Sequence, residues 1–343
     1  MVCGVNSWIE EILDMNRTLR SLDIDYSLFN TDKYYDRLSR LNKRLYKFKL
    51  LNNEEEYITH KQNEFTRTVD EIKPDIILLI NPPDTILSPY FLKTFAGQIN
   101  VYMWLVDGIR KMQNANDYLP LCDKIFCFEP DDVQYIQDLT GKRNVFYCPV
   151  GYGTVYANKV AITKKVYDIC FVGTPTMTRL PFLVAVAQYA SDNNLALWLS
   201  GKFYDSHHFW KKYIFKRKYP ILYKYIYNGD MSPEEVARVY RKSKICLNIH
   251  NANHSGLNPR TFDIMATGSF QLLDNRSDYR ELIHPGIDCD VYQDVETLIS
   301  KLRYYLANEK QREKMATSGQ RNVTHGLCIT DMLKRILFAK TVK

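Results

Sequence analysis

Short continuous apolar runs, each closed by polar or turn-forming residues, recur along the chain. They occupy residues 75–80, 99–105 and 123–128 in the first half, and 167–173, 195–200, 244–249 and 270–273 in the second. Runs of this kind are typical of parallel strands that are buried on both faces. Because they alternate with segments of helical pattern, they predict an α/β chain with doubly wound sheets, whose ligands bind beyond the carboxyl ends of the strands.

Glycine and proline punctuate the chain at residues 149–153. Such clusters mark turns and linkers, and a length of 343 residues suits two domains that each bury a core. We therefore expect an N-terminal Rossmann-like domain over residues 1–150 and a second Rossmann-like domain over residues 151–325. A C-terminal helix over residues 326–343 is expected to pack back on the first domain.

The stretch from residue 244 to 275 has the most informative pattern. A strand and a polar loop lead to Asn258 and Pro259, which suit the N-cap and first position of a helix, and Gly268 suits its end. Arg260 and Asp263 share one edge of that helix. A helix N-terminus attracts anions, so Arg260 is a candidate ligand for nucleotide phosphates and Asp263 for ribose hydroxyls. An ordinary surface ion pair between the two residues is equally compatible with the local pattern.

The same stretch resembles a known family. The order Lys-Ile-x-Leu-Asn-Ile, Gly-Leu-Asn, Arg-Thr-Phe-Asp, a small residue before glycine, and Leu-Leu-Asp is similar to the C-terminal half of CgeB-like glycosyltransferases, members of the GT-B group of nucleotide-sugar-dependent enzymes. The resemblance is clearest from residue 167 to 306. It implies a GT-B fold, in which two Rossmann-like domains face a central cleft and the C-terminal helix crosses back to the first domain.

The resemblance also implies roles for particular residues. Asp107 ends a Trp-x-x-Asp element on the acceptor side, and Gly173 ends a Phe-Val-Gly strand that is followed by Arg179. Asn228 and Met231 lie in the segment where related enzymes contact the nucleotide base through backbone groups. These positions are expected to contribute to binding of the donor, apart from Asp107, which is expected to contact the acceptor or to act as a base.

Position after a strand makes Arg179 and Lys202 candidates for the donor diphosphate. Neutralising that group would stabilise it as a leaving group when the bond to the sugar breaks. Exposed, solubilising charge is the alternative for both residues. For Asp107 the alternative is a carboxylate that merely caps a helix or closes a turn.

The polar loop after residue 249 offers further candidates. His250, Asn253 and Asn258 could contact the donor sugar or its phosphates. His250 and His254 could instead supply two metal ligands if the segment were helical. Its composition indicates a loop and no third ligand stands out, so no metal cofactor is expected.

The N-terminus departs from the resembling family. A full strand usually precedes the turn of Gly-x-Asn-x-Trp type, whereas little chain precedes Gly4 and Asn6 here. We therefore expect the first strand to be nearly absent, which weakens the case for these two residues in acceptor binding. An amphipathic helix is expected over residues 9–21.

Composition and charge narrow the class of protein. The chain has 45% hydrophobic residues, eight cysteines without a CxxC pair and a net charge of +7, which fits a globular chain whose cysteines are reduced core residues. No apolar run is long enough to span a membrane, and the sequence does not open with a signal-peptide pattern. A cytoplasmic location is expected, and association with the inner face of the membrane is an additional hypothesis.

Residues 208–224 interleave aromatic and basic side chains. The mixture occurs in interfacial membrane segments and on surfaces that stack single-stranded nucleic acid, although a solvated connecting helix is its commoner origin. Peripheral contact of this segment with a membrane surface is therefore a hypothesis. Nucleic acid is not an expected partner, because no recognised nucleic-acid module accompanies the run.

The resemblance to CgeB-like enzymes implies a glycosyltransferase, of hexosyltransferase type, that moves a sugar from a nucleotide-sugar to a cell-surface glycan or protein. A UDP-sugar is the favoured donor, and no metal is expected. Many related nucleotide-binding halves carry two Glu residues eight apart, but counting back from Asp263 reaches Ser255, so the first acid is missing. A retaining reaction, guided by the departing phosphate, is favoured; an inverting one needs a base, for which Asp107 is the candidate. A GT-B nucleotide-sugar epimerase and a non-catalytic sugar- or nucleotide-binding partner subunit are the alternatives.

Overall fold

The computed structural model describes residues 1–338 except for 49–50, 52, 84, 113, 159–163, 207, 252–254, 277–278 and 280. Contacts within the chain divide it into two units, Met1–Val150 with the residues from Met332 onward, and Gly151–Asp331. Each unit contains one six-stranded sheet. The predicted α/β class with two Rossmann-like units is therefore confirmed.

The first unit contains strands β1 (Val2–Val5), β2 (Ser27–Asn30), β3 (Ile76–Ile80), β4 (Asn100–Leu105), β5 (Lys124–Cys127) and β6 (Val145–Tyr147). Its helices are α1 (Ser7–Leu13), α2 (Met15–Arg20), α3 (Tyr34–Arg37), α4 (Arg40–Lys47), α5 (Glu54–Ile72), α6 (Pro89–Leu92), α7 (Ala115–Tyr118) and α8 (Pro130–Thr140). The strands pair in the order β2-β1-β3-β4-β5-β6, and every pair is parallel. The apolar runs of the sequence thus became the buried strands that their pattern predicts.

The N-terminal segment corrects two predictions. The first strand is present: β1 is fully buried and pairs with β2 on one side and β3 on the other, so it lies inside the sheet. It was underestimated because four buried residues starting at Val2 are enough to bridge two neighbours. The single helix expected over residues 9–21 is two helices, because Asp14 adopts a left-handed backbone conformation with φ of 45° between α1 and α2.

The second unit contains strands β7 (Tyr167–Val172), β8 (Leu197–Gly201), β9 (Ile226–Asn228), β10 (Ser243–Asn248), β11 (Gln271–Asp274) and β12 (Asp290–Tyr292). Its helices are α9 (Leu180–Asp192), α10 (Phe209–Lys218), α11 (Pro220–Tyr223), α12 (Pro233–Arg241), α13 (Pro259–Ala266), α14 (Val295–Ala307) and α15 (Glu309–Thr324). The strands pair in the order β12-β11-β10-β7-β8-β9, again all parallel. A last helix, α16 (Ile329–Phe338), begins in this unit, and its residues from Met332 belong to the first.

Both sheets reverse their strand order once. In the first sheet β1 leads to β2 on one side, and the chain then returns to place β3 on the other. In the second sheet β7 leads to β8 and β9, and the chain returns to place β10 on the opposite side of β7. Such switch points open a crevice at the carboxyl ends of the two strands, where ligands of open α/β sheets bind. The positions after β1 and β3, and after β7 and β10, are therefore the places to look for function.

The buried side chains support the remaining predictions about composition. Seven of the eight cysteines are buried, the eighth is partly buried, and none forms a disulfide. Burial raises the pKa of thiols such as Cys3 and Cys122 to about 12, which makes them unreactive. Among the described helices, none is long and apolar enough to cross a membrane.

Candidate functional site

The helix α13 forms as its sequence predicts. Asn258 is the N-cap and its Oδ1 accepts a hydrogen bond from the backbone N–H of Thr261 at 3.0 Å, Pro259 is the first helical residue, and Gly268 follows the helix with φ of 71°. The Asn258 Nδ2 donates to Oδ1 of Asn248 at 2.9 Å. The Asn258 side chain is thus committed to holding α13 against the end of β10, and its predicted contact with the donor stays a prediction.

Arg260 and Gly173, two of the predicted donor residues, lie side by side. A Cβ atom on Gly173 would lie 2.7 Å from Nη2 of Arg260, and Gly173 has φ of 153°, which side chains rarely tolerate. The guanidinium also stands 6.0 Å from the centre of the Phe171 ring. Within the described chain Arg260 makes no hydrogen bond or ion pair. The end of β7 therefore holds a partly buried cation whose hydrogen-bond donors are available to a ligand.

Arg179 is buried close to Arg260. Its Nε donates to the carbonyl of Ile249 at 2.7 Å and its Nη1 to the carbonyl of Thr174 at 2.9 Å. Burial and the charge of Arg260 lower the pKa of Arg179 to about 10, which leaves it a cation at neutral pH. The alternative of an exposed, solubilising charge is wrong for Arg179. Its side chain ties the loop after β7 to the end of β10 and adds positive charge to the switch point.

His250 and Asp274 form a buried pair on the other side of that switch point. Oδ1 of Asp274 lies 2.6 Å from Nδ1 of His250 and also accepts the backbone N–H of His250 at 2.8 Å. Burial lowers the pKa of His250, although the bond to Asp274 opposes the shift. Burial alone raises the pKa of Asp274, but the bonds from His250 and the charge of Arg276 outweigh it and lower that pKa. The pair is therefore a neutral imidazole beside a carboxylate.

The remaining ring nitrogen of His250 is available. A neutral imidazole that donates its Nδ1–H to Asp274 carries a lone pair on Nε2. That atom is buried and has no partner among the described residues. A cavity of about 360 Å³ adjoins the pair and is also lined by Thr178, Asn275 and Gln293. The site can therefore accept a hydrogen bond from a ligand hydroxyl.

Asp263 points away from Arg260, although both residues belong to α13. Its Oδ1 accepts the backbone N–H of Gly153 at 3.1 Å, and its Oδ2 receives no hydrogen bond from a described residue. Burial raises the pKa of Asp263 to about 8, against the opposing effects of Gly153 and Arg260. No ion pair joins Asp263 to Arg260 in the described chain, so the surface-pair alternative is wrong. The proposed ribose contact is left to Oδ2.

Three other predicted donor residues lie farther along the same sheet edge. Lys202, exposed after β8, forms an ion pair with Asp230 at 2.8 Å, as a solubilising charge would. The side chain of Asn228 accepts hydrogen bonds from the N–H groups of Phe203 and Tyr204 and donates one to the carbonyl of Tyr204. Met231 accepts a hydrogen bond from Ser200 through its sulfur at 2.9 Å. The structure does not bring these three side chains to the switch point beside Gly173.

In the first unit, Asp107 lies after β4, one strand away from the switch point. Its side chain is 52% exposed, its Oδ1 accepts the N–H of Gly108 at 2.8 Å, and Lys111 lies 3.8 Å from the same oxygen. This is the geometry of a turn carboxylate, the alternative that the sequence left open. A role as base or acceptor contact stays a prediction.

The switch point of the first unit is lined by Asn6 and Trp8, from the turn of Gly-x-Asn-x-Trp type, and by Asp32, which the sequence did not single out. Asp32 accepts hydrogen bonds from the N–H of Ser7 at 2.8 Å and from its hydroxyl at 2.6 Å. Burial raises the pKa of Asp32, but the bonds from Ser7 and Asn30 outweigh it and lower that pKa. Trp8 is 70% exposed at the rim of the same cavity of about 430 Å³. An aromatic face beside anchored hydrogen-bond acceptors is typical of small-molecule sites that bind hydroxyl groups.

Two candidates of the polar loop, Asn253 and His254, lie outside the described residues. In the part of the chain that the structure describes, no group of three His, Cys, Asp or Glu side chains is arranged to hold a metal ion. The described residues therefore supply no set of metal ligands around His250, which instead forms a hydrogen bond with Asp274.

Comparisons with known proteins agree with this architecture. Residues 181–335 match the family model described as glycosyl transferase-like. The spore protein CgeB of Bacillus subtilis (strain 168) is 23% identical over 263 residues, which cover 73% of this chain and 78% of that protein. A glycosyltransferase from Rickettsia africae ESF-5 superposes with a TM-score of 0.68 at 13% identity, covering 98% of this chain and 96% of the other. HepE from Anabaena in complex with UDP-glucose gives a TM-score of 0.68 at 9% identity, covering 98% of each chain.

The chain therefore has the fold of GT-B glycosyltransferases, and residues 181–335 are similar to the glycosyl transferase-like family. Within that class it is CgeB-like, which confirms the resemblance drawn from residues 167–306.

Proposed function

We propose that the chain is a hexosyltransferase that moves a sugar from a UDP-sugar to a cell-surface glycan or protein and needs no metal ion. The observation that carries the proposal is Arg260, a partly buried guanidinium beside Gly173 that makes no hydrogen bond or ion pair within the described chain. A cation held in this way at a switch point suits an anionic ligand. HepE, whose fold is similar, has a structure in complex with UDP-glucose, which supports UDP as the nucleotide.

The donor diphosphate would lie against Arg260. The planar guanidinium offers a fork of donors that matches phosphate oxygens. Arg179 already uses Nε and Nη1 on backbone carbonyls, so it would contribute mainly through its charge. Two fixed cations can stabilise a departing diphosphate, the task that a bound metal performs in other enzymes. This arrangement supports a metal-independent reaction.

The donor sugar would lie against the His250 and Asp274 pair. Because the lone pair on Nε2 can accept a hydrogen bond but not donate one, it selects a hydroxyl and not a phosphate oxygen. Oδ2 of Asp263, which carries the proton of the carboxyl group below about pH 8, would form a hydrogen bond with a ribose hydroxyl. The backbone around Asn228 and Met231 would contact the base. Burial of these groups would make a missing partner costly and the donor contacts selective.

We favour a retaining reaction, because it needs no protein nucleophile when the departing phosphate guides the acceptor. Ser255 stands where many relatives carry the first Glu. In the proposed reaction the bond between the anomeric carbon and the diphosphate oxygen breaks, and its electron pair stays on that oxygen. The acceptor oxygen bonds to the same face of the sugar, and its proton passes to the departing phosphate, which Arg260 stabilises. If the reaction inverts, Asp107 is the predicted base.

The acceptor would bind the cavity of the first unit that Trp8, Ser7 and Asp32 line. Asp32 is held by hydrogen bonds from Ser7 and Asn30 and remains a hydrogen-bond acceptor. Sugar hydroxyls are donors that such a carboxylate binds, and the exposed face of Trp8 can pack on the apolar face of a sugar ring. This cavity supports a glycan over an unglycosylated protein as the acceptor.

A thermal-shift screen tests the donor site. The protein is melted with UDP, GDP, CMP, ADP and dTDP, with and without magnesium, because a ligand of the native state raises the melting temperature. We expect a shift with UDP that is independent of magnesium, absent in Arg260→Ala and kept in Arg303→Ala, which removes an exposed arginine of α14. Shifts with no nucleotide, or an equal shift in Arg260→Ala, would contradict the proposal.

Turnover separates the alternatives that share this site. The proposal expects release of UDP from a UDP-sugar to be stimulated by acceptor glycans. Conversion of the donor to another sugar nucleotide without an acceptor would identify an epimerase. Binding of the donor without any turnover would identify a partner subunit.

A further inference from the structure

Helix α10 is unusual because it carries apolar side chains on both of its faces. The face toward the protein contributes Phe215, which packs with Tyr204 at 5.5 Å and with Tyr219 at 5.2 Å between ring centres. No residue of the helix is fully buried. Because so little of this face is buried, packing against the protein does not explain the aromatic residues on the opposite face.

The opposite face forms what we call the aromatic stripe, residues Phe209, Trp210, Tyr213 and Ile214. Helical geometry places residues four apart, and their neighbours, on one side. Their exposures are 85%, 46%, 62% and 54%. Large apolar side chains exposed together mark an interaction surface, whereas single ones need no explanation. The solvated connecting helix considered for this segment would instead present polar residues there.

Cations flank the aromatic stripe. Lys212 and Lys216 lie on one side of it, Lys218 on the other, and Arg217 within it by helical spacing. None of these four makes an ion pair with a described residue, whereas Lys211 pairs with Asp205 at 3.0 Å. No Asp or Glu occurs from residue 206 to 229. The surface is therefore apolar at its centre and positive at its edges, without acidic neighbours along the chain.

We propose that α10 docks on a membrane surface that contains anionic lipid, with the aromatic stripe among the headgroups and the four cations at their phosphates. Tryptophan and tyrosine favour this interface, and basic residues beside them bind negative lipid. A bilayer fits better than a nucleic-acid strand, because the exposed Ile214 is an aliphatic side chain that cannot stack on bases. It fits better than a protein groove, because the cations that border the stripe match the negative surface of anionic lipid. The inference goes beyond the proposed transferase activity and requires no nucleotide.

Vesicle co-sedimentation tests the docking surface. The protein is mixed with vesicles of phosphatidylcholine alone or with added phosphatidylglycerol. We expect binding that requires phosphatidylglycerol and weakens in high salt. The variant Lys212→Gln, Lys216→Gln, Arg217→Gln and Lys218→Gln should lose about a hundredfold in affinity or more, since each cation near an anionic surface contributes about a fivefold factor. The matched variant Arg303→Gln, Lys310→Gln, Lys314→Gln and Arg321→Gln removes four exposed cations of α14 and α15 and should bind as the parent does.

Tryptophan fluorescence provides a second measurement on a single side chain. Addition of anionic vesicles should shift the emission to the blue, and the shift should be lost in Trp210→Phe but kept in Trp8→Phe. Equal binding of anionic vesicles by the two quadruple variants, or a blue shift that persists in Trp210→Phe, would overturn the proposal. So would binding to a single-stranded oligonucleotide without vesicle binding, or a stable dimer that Phe209→Ser dissociates. The UDP-induced thermal shift should be unchanged in all these variants, so failure here is distinguishable from failure of the donor site.

Discussion

The two switch points have the same topology and opposite chemistry. In the second unit, the crevice after β7 and β10 gathers Arg260, Arg179 and a neutral His250. In the first unit, the crevice after β1 and β3 contains Asp32 held by Ser7, with Trp8 exposed at its rim. Parallel sheets therefore determine where a ligand binds, and the side chains after the strands determine which ligand. We assign the anionic donor to the cationic crevice and the hydroxyl-rich acceptor to the other.

The largest expected effect comes from the cation itself. Arg260→Ala should lower kcat/KM by about 100-fold to 1000-fold, because it removes a preorganised group from the developing charge on the diphosphate. Gly173→Ala should act through the same group, since its Cβ would displace Nη2 of Arg260 from 2.7 Å. The double variant should therefore bind UDP no more weakly than Arg260→Ala alone, as isothermal titration calorimetry would show. Additive losses would mean that Gly173 acts independently of Arg260.

The acceptor side should respond separately. A glycan array probed with labelled protein and UDP should show binding that falls about tenfold in Trp8→Ala and in Asp32→Asn, because each loses a contact with the sugar. Tyr90→Ala removes another exposed aromatic residue of the first unit and should leave the array unchanged. Loss of UDP binding in Trp8→Ala would contradict the assignment of the donor and the acceptor to separate crevices.

A smaller effect separates the sugar of the donor from its nucleotide. His250→Asn can keep the bond to Asp274, because its amide reaches the position of Nδ1, but it lacks the Nε2 acceptor. We expect affinity for the UDP-sugar to fall about tenfold, while affinity for UDP stays unchanged. Calorimetry with both ligands measures this. An equal loss for UDP would place His250 at the nucleotide.

The last prediction concerns the pH dependence of stability, which involves no ligand. Burial raises the pKa of Asp263 to about 8 in the folded state, whereas the ordinary pKa of the group, taken for the unfolded state, is 3.8. Between these values the folded state binds more protons, so the contribution of Asp263 to the free energy of unfolding falls as pH rises, by up to about 1.4 kcal/mol per pH unit. Urea denaturation between about pH 5 and about pH 7.5 should show the wild type losing stability relative to Asp263→Asn. A constant difference would mean that the carboxyl group is ionised throughout.

The two crevices also differ in how far the sequence could predict them. Helix α13 follows from local signals, since Asn258, Pro259 and Gly268 act within a few residues of one another. The pairing of His250 with Asp274 depends on β10 and β11 being neighbours, which periodicity cannot reveal. The same holds for Ser7 and Asp32, which meet only because β1 and β2 pair.

Side-chain packing explains the remaining differences. Arg260 and Asp263 are three residues apart and looked like partners, yet one side chain turns to Gly173 and the other to Gly153. Lys202 follows β8 as predicted and Asn228 ends β9, but Asp230 and the backbone at residues 203–204 occupy their polar groups. A signal for Asp32 and Asp274 did exist, since each stands at or just after the carboxyl end of a strand.

The most direct test of the two-crevice account is a calorimetric titration of UDP into three proteins, the wild type, Arg260→Ala and Asp32→Asn. The account predicts that Arg260→Ala weakens UDP binding about tenfold or more, since a charge-assisted contact to phosphate is lost, whereas Asp32→Asn binds UDP as the wild type does. Equal affinity in wild type and Arg260→Ala, or a selective loss in Asp32→Asn, would contradict it.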